Sequence, residues 1–300
     1  MSGTTDSLSR KISTAQDLAA VVRSMKALAA SSIGQYERAV ESLGDYCRTI
    51  ELGLSVYLRR IAPSPQSRGA SQAPAGAIGA VLFGSDQGLV GRFNEVLMEF
   101  AVSKLESLPG KLAQIWAVGE RMQSLVADAR PAGTTLPPPR VLSVPGSVEA
   151  ITPLVGQILI DIEAARERGE VTEIYLFHNR PLSAAAYEPA AKRLLPLDAA
   201  WRSGLAALTW PTKNLPQVID ESASTLAAFI RGYLFVLLFQ ACAESLASEN
   251  ASRLAAMQRA EKNIREILEE LSGKFHRLRQ ESIDEELFEV VAGYESLSRE

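Results

Sequence analysis

The chain has 300 residues, 47% of them hydrophobic and 22% charged, with a formal net charge of −4. That length accommodates two domains, the acidic balance argues against a nucleic-acid footprint, and two cysteines, Cys47 and Cys242, are too few for a disulfide framework. The first eleven residues are polar and lack the apolar core of a signal peptide.

Residues 1–58 read as one long helix. No proline precedes Pro63, and apolar or small residues recur at Leu8, Ile12, Ala15, Leu18, Val22, Met25, Ala29, Ile33, Tyr36, Val40, Leu43, Cys47, Ile50, Leu54 and Tyr57. Steps of three and four with one extra four are the seam of a coiled coil with a stutter; an ordinary amphipathic helix shows the same face. Residues 59–76 (RRIAPSPQSRGASQAPAG) are rich in Pro, Ser, Gly and Ala and read as a flexible linker.

Residues 77–212 change texture. Strands are expected at Ala77–Phe83, Leu112–Val118, Val141–Val144 and Val171–His178, with a short edge strand at Arg193–Leu197. Helices are expected at Asn94–Leu105, after Gly119, and at Val148–Arg168; Arg130–Arg140, with three consecutive prolines, reads as a loop. Strands alternating with helices indicate an α/β layer domain with a mainly parallel sheet, of Rossmann-like type.

Residues 213–300 close the chain as a second long helix. After Pro216 there is no proline, and proline inside a helix costs about 3 kcal/mol. Leu268, Leu271, Phe275 and Leu278 continue a seam that resumes at Ile283, Leu287, Val290, Tyr294 and Leu297 after a slip. Leu226–Leu246, the most apolar stretch, is broken by Arg231, Gln240 and Glu244 and reads as a buried helix rather than a membrane span. The fold class expected is therefore α/β plus a long antiparallel coiled coil, the terminal helices paired around an inserted domain. Cys47 and Cys242 then read as small buried hydrophobes of that coil.

Charge favours the pairing. Residues 1–60 carry eight Lys/Arg against six Asp/Glu, and residues 217–300 carry nine against fifteen, although exposed pairs contribute only about 0–1 kcal/mol each. The C-terminal helix is expected to outrun its partner by roughly 25 residues, or about 40 Å at 1.5 Å per residue. That overhang carries Ile283, Leu287, Phe288, Val290, Val291, Tyr294 and Leu297, an apolar surface that calls for an enclosing partner.

The chain offers little chemistry. Gly84–Asn94 (GSDQGLVGRFN) follows a strand and precedes a helix, where phosphate loops sit. Its glycine spacing is not G-x-G-x-x-G, and no Gly-Lys-Ser/Thr follows. A structural turn with a capping acid at Asp86 competes with ligand binding there. His178 and His276 fall in different segments without a ligand set, no G-x-S-x-G elbow occurs, and Asp284, Glu285, Glu286 and Glu289 read as a solvated or partner-facing surface. No catalytic residue, metal ligand or cofactor site is expected. A small-ligand enzyme using the Gly84–Gly91 loop and a coiled-coil scaffold remain as alternative readings.

Three segments, in order, resemble the gamma subunit of F-type ATP synthases. Val21–Ile33 (VVRSMKALAASSI) is similar to that family's I-T-x-A-M-K-M-V-A-A-x-K-L helix, and Ser85–Asn94 (SDQGLVGRFN) to S-D-R-G-L-C-G-x-F-N. Ala247–Met257 (ASENASRLAAM) resembles A-S-E-x-x-A-R-M-x-A-M; Lys262-Asn263 stands where the family has T-K-N, and Arg279–Gly293 resembles R-Q-A-x-I-T-Q-E-L-x-E-I-V-x-G. The resemblance spans essentially the whole chain. It implies a noncatalytic central rotor shaft, whose coiled coil turns inside a ring of alpha and beta subunits. It implies an α/β domain bound to the epsilon subunit and the c-subunit ring, contact with the membrane only through that ring, and a place on the cytoplasmic face of the bacterial inner membrane. By motif position, Met25, Lys26, Arg279, Gln280 and Glu286 are implied to contact a beta subunit. Ile283, Leu287, Val290, Val291, Tyr294 and Leu297 are implied to form the apolar tip in its sleeve. Three places depart from the family: Asp284 replaces a threonine, Ser32–Gln35 replace a basic run, and Val90 replaces a cysteine. These suggest a divergent branch, with the usual F-type ATPase and the second type that some bacteria carry beside it both left open. The chain lacks the cysteine pair of the plant type, which argues against thiol control.

Overall fold

The computed structural model describes residues 2–60, 76–128, 136–183, 186–214, 216–218 and 222–297. Most of the linker expected at 59–76, and part of the loop expected at 130–140, lie outside the described residues. Among those described, the order is α1 (Ser2–Arg60), β1 (Ala77–Phe83), α2 (Phe93–Glu106), β2 (Lys111–Val118), α3 (Glu120–Asp128), β3 (Arg140–Leu142) and α4 (Ile151–Glu167). There follow β4 (Glu173–Ser183), β5 (Ala186–Leu195), α5 (Ala199–Ala207) and α6 (Ala223–Leu297). The chain divides into two compact units, residues 30–252 and residues 1–29 with 253–300.

The larger unit is built on a five-stranded sheet of order β3-β2-β1-β4-β5. β1 pairs in parallel with β2 and β4, β2 in parallel with β3, and only β5 is antiparallel, on β4. The central strand AIGAVLF is buried along nearly its whole length, as expected of a parallel strand covered on both faces. The period of two sorts its neighbours. Val81, Phe83, Trp116, Val118, Ile174 and Leu176 face the layer of α4, α1 and α6, while Ile78, Ala80, Leu82, Ile115, Ala117, Tyr175 and Phe177 face α2 and α3. Tyr36, Ile50 and Leu54 of α1 share the first core with α6 residues from Tyr233 to Ala247. Gly53 lies against the Phe229 ring and Gly232 against Ile50, so the two helices run antiparallel here.

α6 contains a window long and apolar enough to cross a membrane (mean hydropathy 1.8), but half of it is buried within the structure. Cys242 is buried and Cys47 half-buried, both as free thiols. Burial pushes the Cys242 thiol well up, and burial with the nearby Glu51 raises Cys47.

In the smaller unit, Val22, Met257 and Ile264 are buried, with Ala19, Met25, Ala256, Ala260 and Leu268 packed round them. The Lys26 ammonium meets Glu261 Oε2 at 2.6 Å. Nearer the start of α1, Ala15 and Leu18 line a groove with Ile267 and Leu271, so the helices are antiparallel here as well.

Every described position of the α1 seam expected from sequence is buried or half-buried except Leu18, which is 55% exposed while Ala19 takes the contact. Several expectations need correction. α6 starts at Ala223: residues 208–214 and 216–218, with Pro211 and Pro216 among them, are not helical, and the Ser222 hydroxyl accepts the Thr225 N–H at 3.4 Å. α6 therefore exceeds α1 by 16 residues (75 against 59), not 25. β5 runs from Ala186, well before the edge strand expected at Arg193, because Pro189 hides a strand that its edge position tolerates. α5 was not expected; Asp198 caps it by accepting the Trp201 N–H at 2.8 Å.

Candidate functional site

Among the described residues of the smaller unit, the end of α6 carries a run of exposed large apolar side chains. Half-buried residues recur at Leu271, Phe275, Leu278 and Ser282; beyond Ser282 every described side chain is exposed. Among them are Ile283, Leu287, Phe288, Val290 and Val291, between 47% and 73% exposed. Residues 283, 287 and 290 share one helical face. The side chains of Tyr294 and Leu297 lie outside the described residues. Arg279, Gln280 and Glu286 are exposed and make no hydrogen bond or ion pair among the described residues, so their polar groups are open to a partner.

Met25 and Lys26 are placed differently. Met25 is half-buried against the Val22–Met257–Ile264 cluster, and Lys26 is held by Glu261. The Glu261 carboxyl is held below the ordinary glutamate value by its hydrogen bond from Lys26. The sequence did not single out Glu261. It also left unread Val21 and Leu28, which are exposed and each follow a seam residue, Leu18 and Met25, by three positions.

The loop after β1 proves to be a structural turn. Asp86 Oδ1 accepts the Glu120 N–H at 3.0 Å, capping α3, and Oδ2 accepts the Val144 N–H at 3.2 Å. Asn94 Oδ1 accepts the Ser85 N–H and its Nδ2 donates to Ser85 Oγ. A Cβ at Gly84 would lie 2.5 Å from Met122 Cβ, and one at Gly119 (φ +104°) would lie 2.5 Å from the Ser85 carbonyl oxygen. Gly84 and Gly119 permit close packing of the chain on itself.

The sheet topology identifies the crevice where a ligand of such a fold would bind. Connections leave β1 towards β2 and β3, then cross to β4 on its other side, so the switch point lies at the carboxyl ends of β1 and β4. α6 fills it. Ser245 Oγ donates to the Phe83 carbonyl (3.0 Å), Ser248 Oγ to the Asn179 carbonyl (3.1 Å) and Ser252 Oγ to the Val90 carbonyl (2.5 Å). Beside them Glu244 Oε2 meets His178 Nε2 at 2.9 Å and Oε1 accepts from Gln240 at 2.7 Å. Burial alone would raise the Glu244 carboxyl, but the hydrogen bonds from His178 and Gln240 outweigh it and hold it below the usual value. The sequence marked Ala247–Met257 as a motif but gave these serines no role. Their spacing of three and four on one helix face was the available signal. Among the described residues no group of three or more His, Cys, Asp or Glu could hold a metal ion.

A family described as ATP synthase matches residues 4–297. The chain is 29% identical over 294 residues to the ATP synthase gamma chain of Dechloromonas aromatica, covering 94% of this chain and 96% of that one. It is 25% identical over 293 residues to the gamma chain of Polynucleobacter asymbioticus, covering 96% and 98%. Among solved structures, a chain of the Euglena gracilis mitochondrial ATP synthase in rotational state 3 has a TM-score of 0.64 at 15% identity, covering 99% of this chain and 95% of that chain. A chain of the central stalk and c-ring of the Tetrahymena thermophila mitochondrial enzyme has a TM-score of 0.55 at 20% identity, covering 80% and 99%. The structural likenesses speak to the fold.

Proposed function

The chain belongs to the ATP synthase family, as a gamma chain, and we propose that it is the noncatalytic central shaft of a bacterial F-type ATP synthase. It couples ion flow through a membrane-embedded c ring to ATP synthesis or hydrolysis at the beta subunits. The observation that carries this reading is the end of α6: a helix presenting Ile283, Leu287, Phe288, Val290 and Val291 to solvent is unsuited to isolation and suited to an apolar sleeve. An apolar bearing surface has few directional contacts, so turning in it meets no deep wells. In this reading α1 and α6 wind as an antiparallel coiled coil inside the ring of alpha and beta subunits. Arg279, Gln280 and Glu286, free of partners within the described chain, supply the polar grip on a beta subunit. Met25 and Lys26 reach the beta-subunit lever region by their exposed flank, where a partner carboxylate competes with Glu261 for the ammonium. The α/β domain docks on the epsilon subunit and the c ring, on the cytoplasmic side of the membrane.

The filled switch point argues against the enzyme alternative, since α6 occupies the crevice a substrate would need. Identities of 25–29% to the gamma chains above suit a divergent branch. Native mass spectrometry of complexes captured on a tagged copy in its own host tests the reading. One copy per three alpha and three beta subunits is expected, and recovery alone or as a homo-oligomer refutes it. In the assembled complex, Gln280→Leu lowers coupled ATP turnover; unchanged turnover would remove Gln280 from the contact.

A further inference from the structure

We propose that Ser245, Ser248 and Ser252 form a torque key that locks α6 to the sheet against rotation about the helix axis. This inference rests on the shaft reading above.

Most of the contact between α6 and the rest of the larger unit is apolar, from Tyr233 to Ala247. Apolar contact is non-directional. A helix seated by it alone can roll a few degrees, exchanging one set of methyl contacts for another at little cost. Hydrogen bonds weaken steeply as their angle closes, so donors on one face resist such a roll. The three serines stand at i, i+3 and i+7, hence on one face over two turns. They are 3%, 0% and 7% exposed. Each hydroxyl donates across to a carbonyl of a different segment: the end of β1, β4, and the loop after β1.

Those acceptors are themselves fixed. Asn179 Nδ2 donates to the Phe93 carbonyl at 3.0 Å, tying β4 to the start of α2. Ser85 and Asn94 brace the loop from within. The Glu244–His178 contact continues the same line one residue earlier. Small hydroxyls suit this place, because a larger side chain would hold the helix away from the strand ends. A buried carbonyl that loses its donor hydroxyl has no water to take the hydroxyl's place; the Val90 carbonyl also accepts the Phe93 N–H at 3.3 Å, which ties it to the start of α2. α6 runs through both units. In a rotor, torque applied to its far end reaches the α/β domain through this comb.

The test uses the assembled complex with its head immobilised and a bead on the exposed Ser103→Cys of α2. The raised pKa values of Cys47 and Cys242 favour labelling at the new thiol. ATP-driven rotation of the bead is recorded first, then its angular variance with the shaft stalled. The triple variant S245A/S248A/S252A is expected to raise that variance about twofold as directional contacts are lost. Leu97→Ala, a core truncation on the other face of the sheet, lowers thermal stability without changing it. Variance unchanged in the triple variant overturns the proposal, even if its melting temperature falls. Should the triple variant fail to assemble, the three single variants carry the test, Ser248→Ala giving the largest rise; three unchanged variances overturn it equally. A wild-type bead that never rotates on ATP refutes the shaft reading itself and removes the premise, an outcome separate from a rotating bead with unchanged variance.

Discussion

Truncating Met257 should open the smaller unit without disturbing the larger one. Only Val22, Met257 and Ile264 are buried in that unit's apolar cluster, and Met257 is 2% exposed. A methionine cut to alanine in a well-packed core costs about 2–5 kcal/mol. This core is two helices wide and its rim is half-exposed, so water and side chains relax into the gap and the low end, about 2 kcal/mol, applies. At about 1.4 kcal/mol per factor of ten, that is a rise of roughly 30-fold in the open population of the helix pair. Amide hydrogen exchange by mass spectrometry reads it directly. Peptides from residues 10–29 and 253–275 should exchange roughly 30-fold faster in Met257→Ala, in the regime where exchange follows the opening equilibrium. Peptides from β1, β2 and β4 should keep their wild-type protection. Equal acceleration in both units would refute the argument, because it would make the three-residue cluster part of one cooperative core. No acceleration anywhere would show that the Lys26–Glu261 pair and the half-buried rim hold the helices unaided.

Three further outcomes follow from the geometry. Leu287→Asp should leave the thermal stability of the isolated chain unchanged, since Leu287 is 61% exposed, while lowering the yield of complex with alpha and beta subunits in co-purification; a loss of intrinsic stability would place Leu287 in an internal contact instead. Gly119→Ala should prevent the larger unit from folding, because φ +104° disfavours a side chain and its Cβ would lie 2.5 Å from the Ser85 backbone; soluble protein with wild-type circular dichroism would contradict this. The Glu244 carboxyl is held below its ordinary value of 4.5 in the folded state. Its stabilisation is therefore present above pH 4.5 and lost as pH falls through the lower folded value. Wild type should exceed Glu244→Gln in urea midpoint at pH 7, with the gap closing below pH 4.5; a constant gap would assign the effect to hydrogen-bond geometry rather than charge.

The two long helices were legible because their determinants are local. Absence of proline and a three-four apolar period operate within a few residues, so α1 and its seam follow from the row of letters. Leu18 shows the limit: Leu18 and Ala19 both fit the period, and the choice between them depends on the rotation of α1 against α6. The β1, β2 and β4 strands were legible for a similar reason, as short apolar runs bounded by turns. β5 was not, because its edge position relaxes the pattern and admits Pro189. α5 was missed because a nine-residue helix rests on one cap and the packing of Trp201 against Tyr233, which no local window contains.

The site divides along the same line. The apolar, proline-free end of α6 is a property of sequence, since an exposed helical face needs no contact to define it. Arg279, Gln280 and Glu286 came from motif resemblance, and the structure places them on open surface. The serine comb belongs to tertiary structure alone. A serine in a helix most often donates to its own turn, as Ser24 and Ser42 do, and the one-face spacing of Ser245, Ser248 and Ser252 groups them without giving their partners. Their role appears only when strand order brings the ends of β1 and β4 together beneath α6, because a hydroxyl's partner is set by which chain segment lies within 3 Å of it. Sequence thus determined the two long helices and the central strands and left the tip without a partner. Packing decided that the crevice an enzyme would use is closed by the chain's own helix.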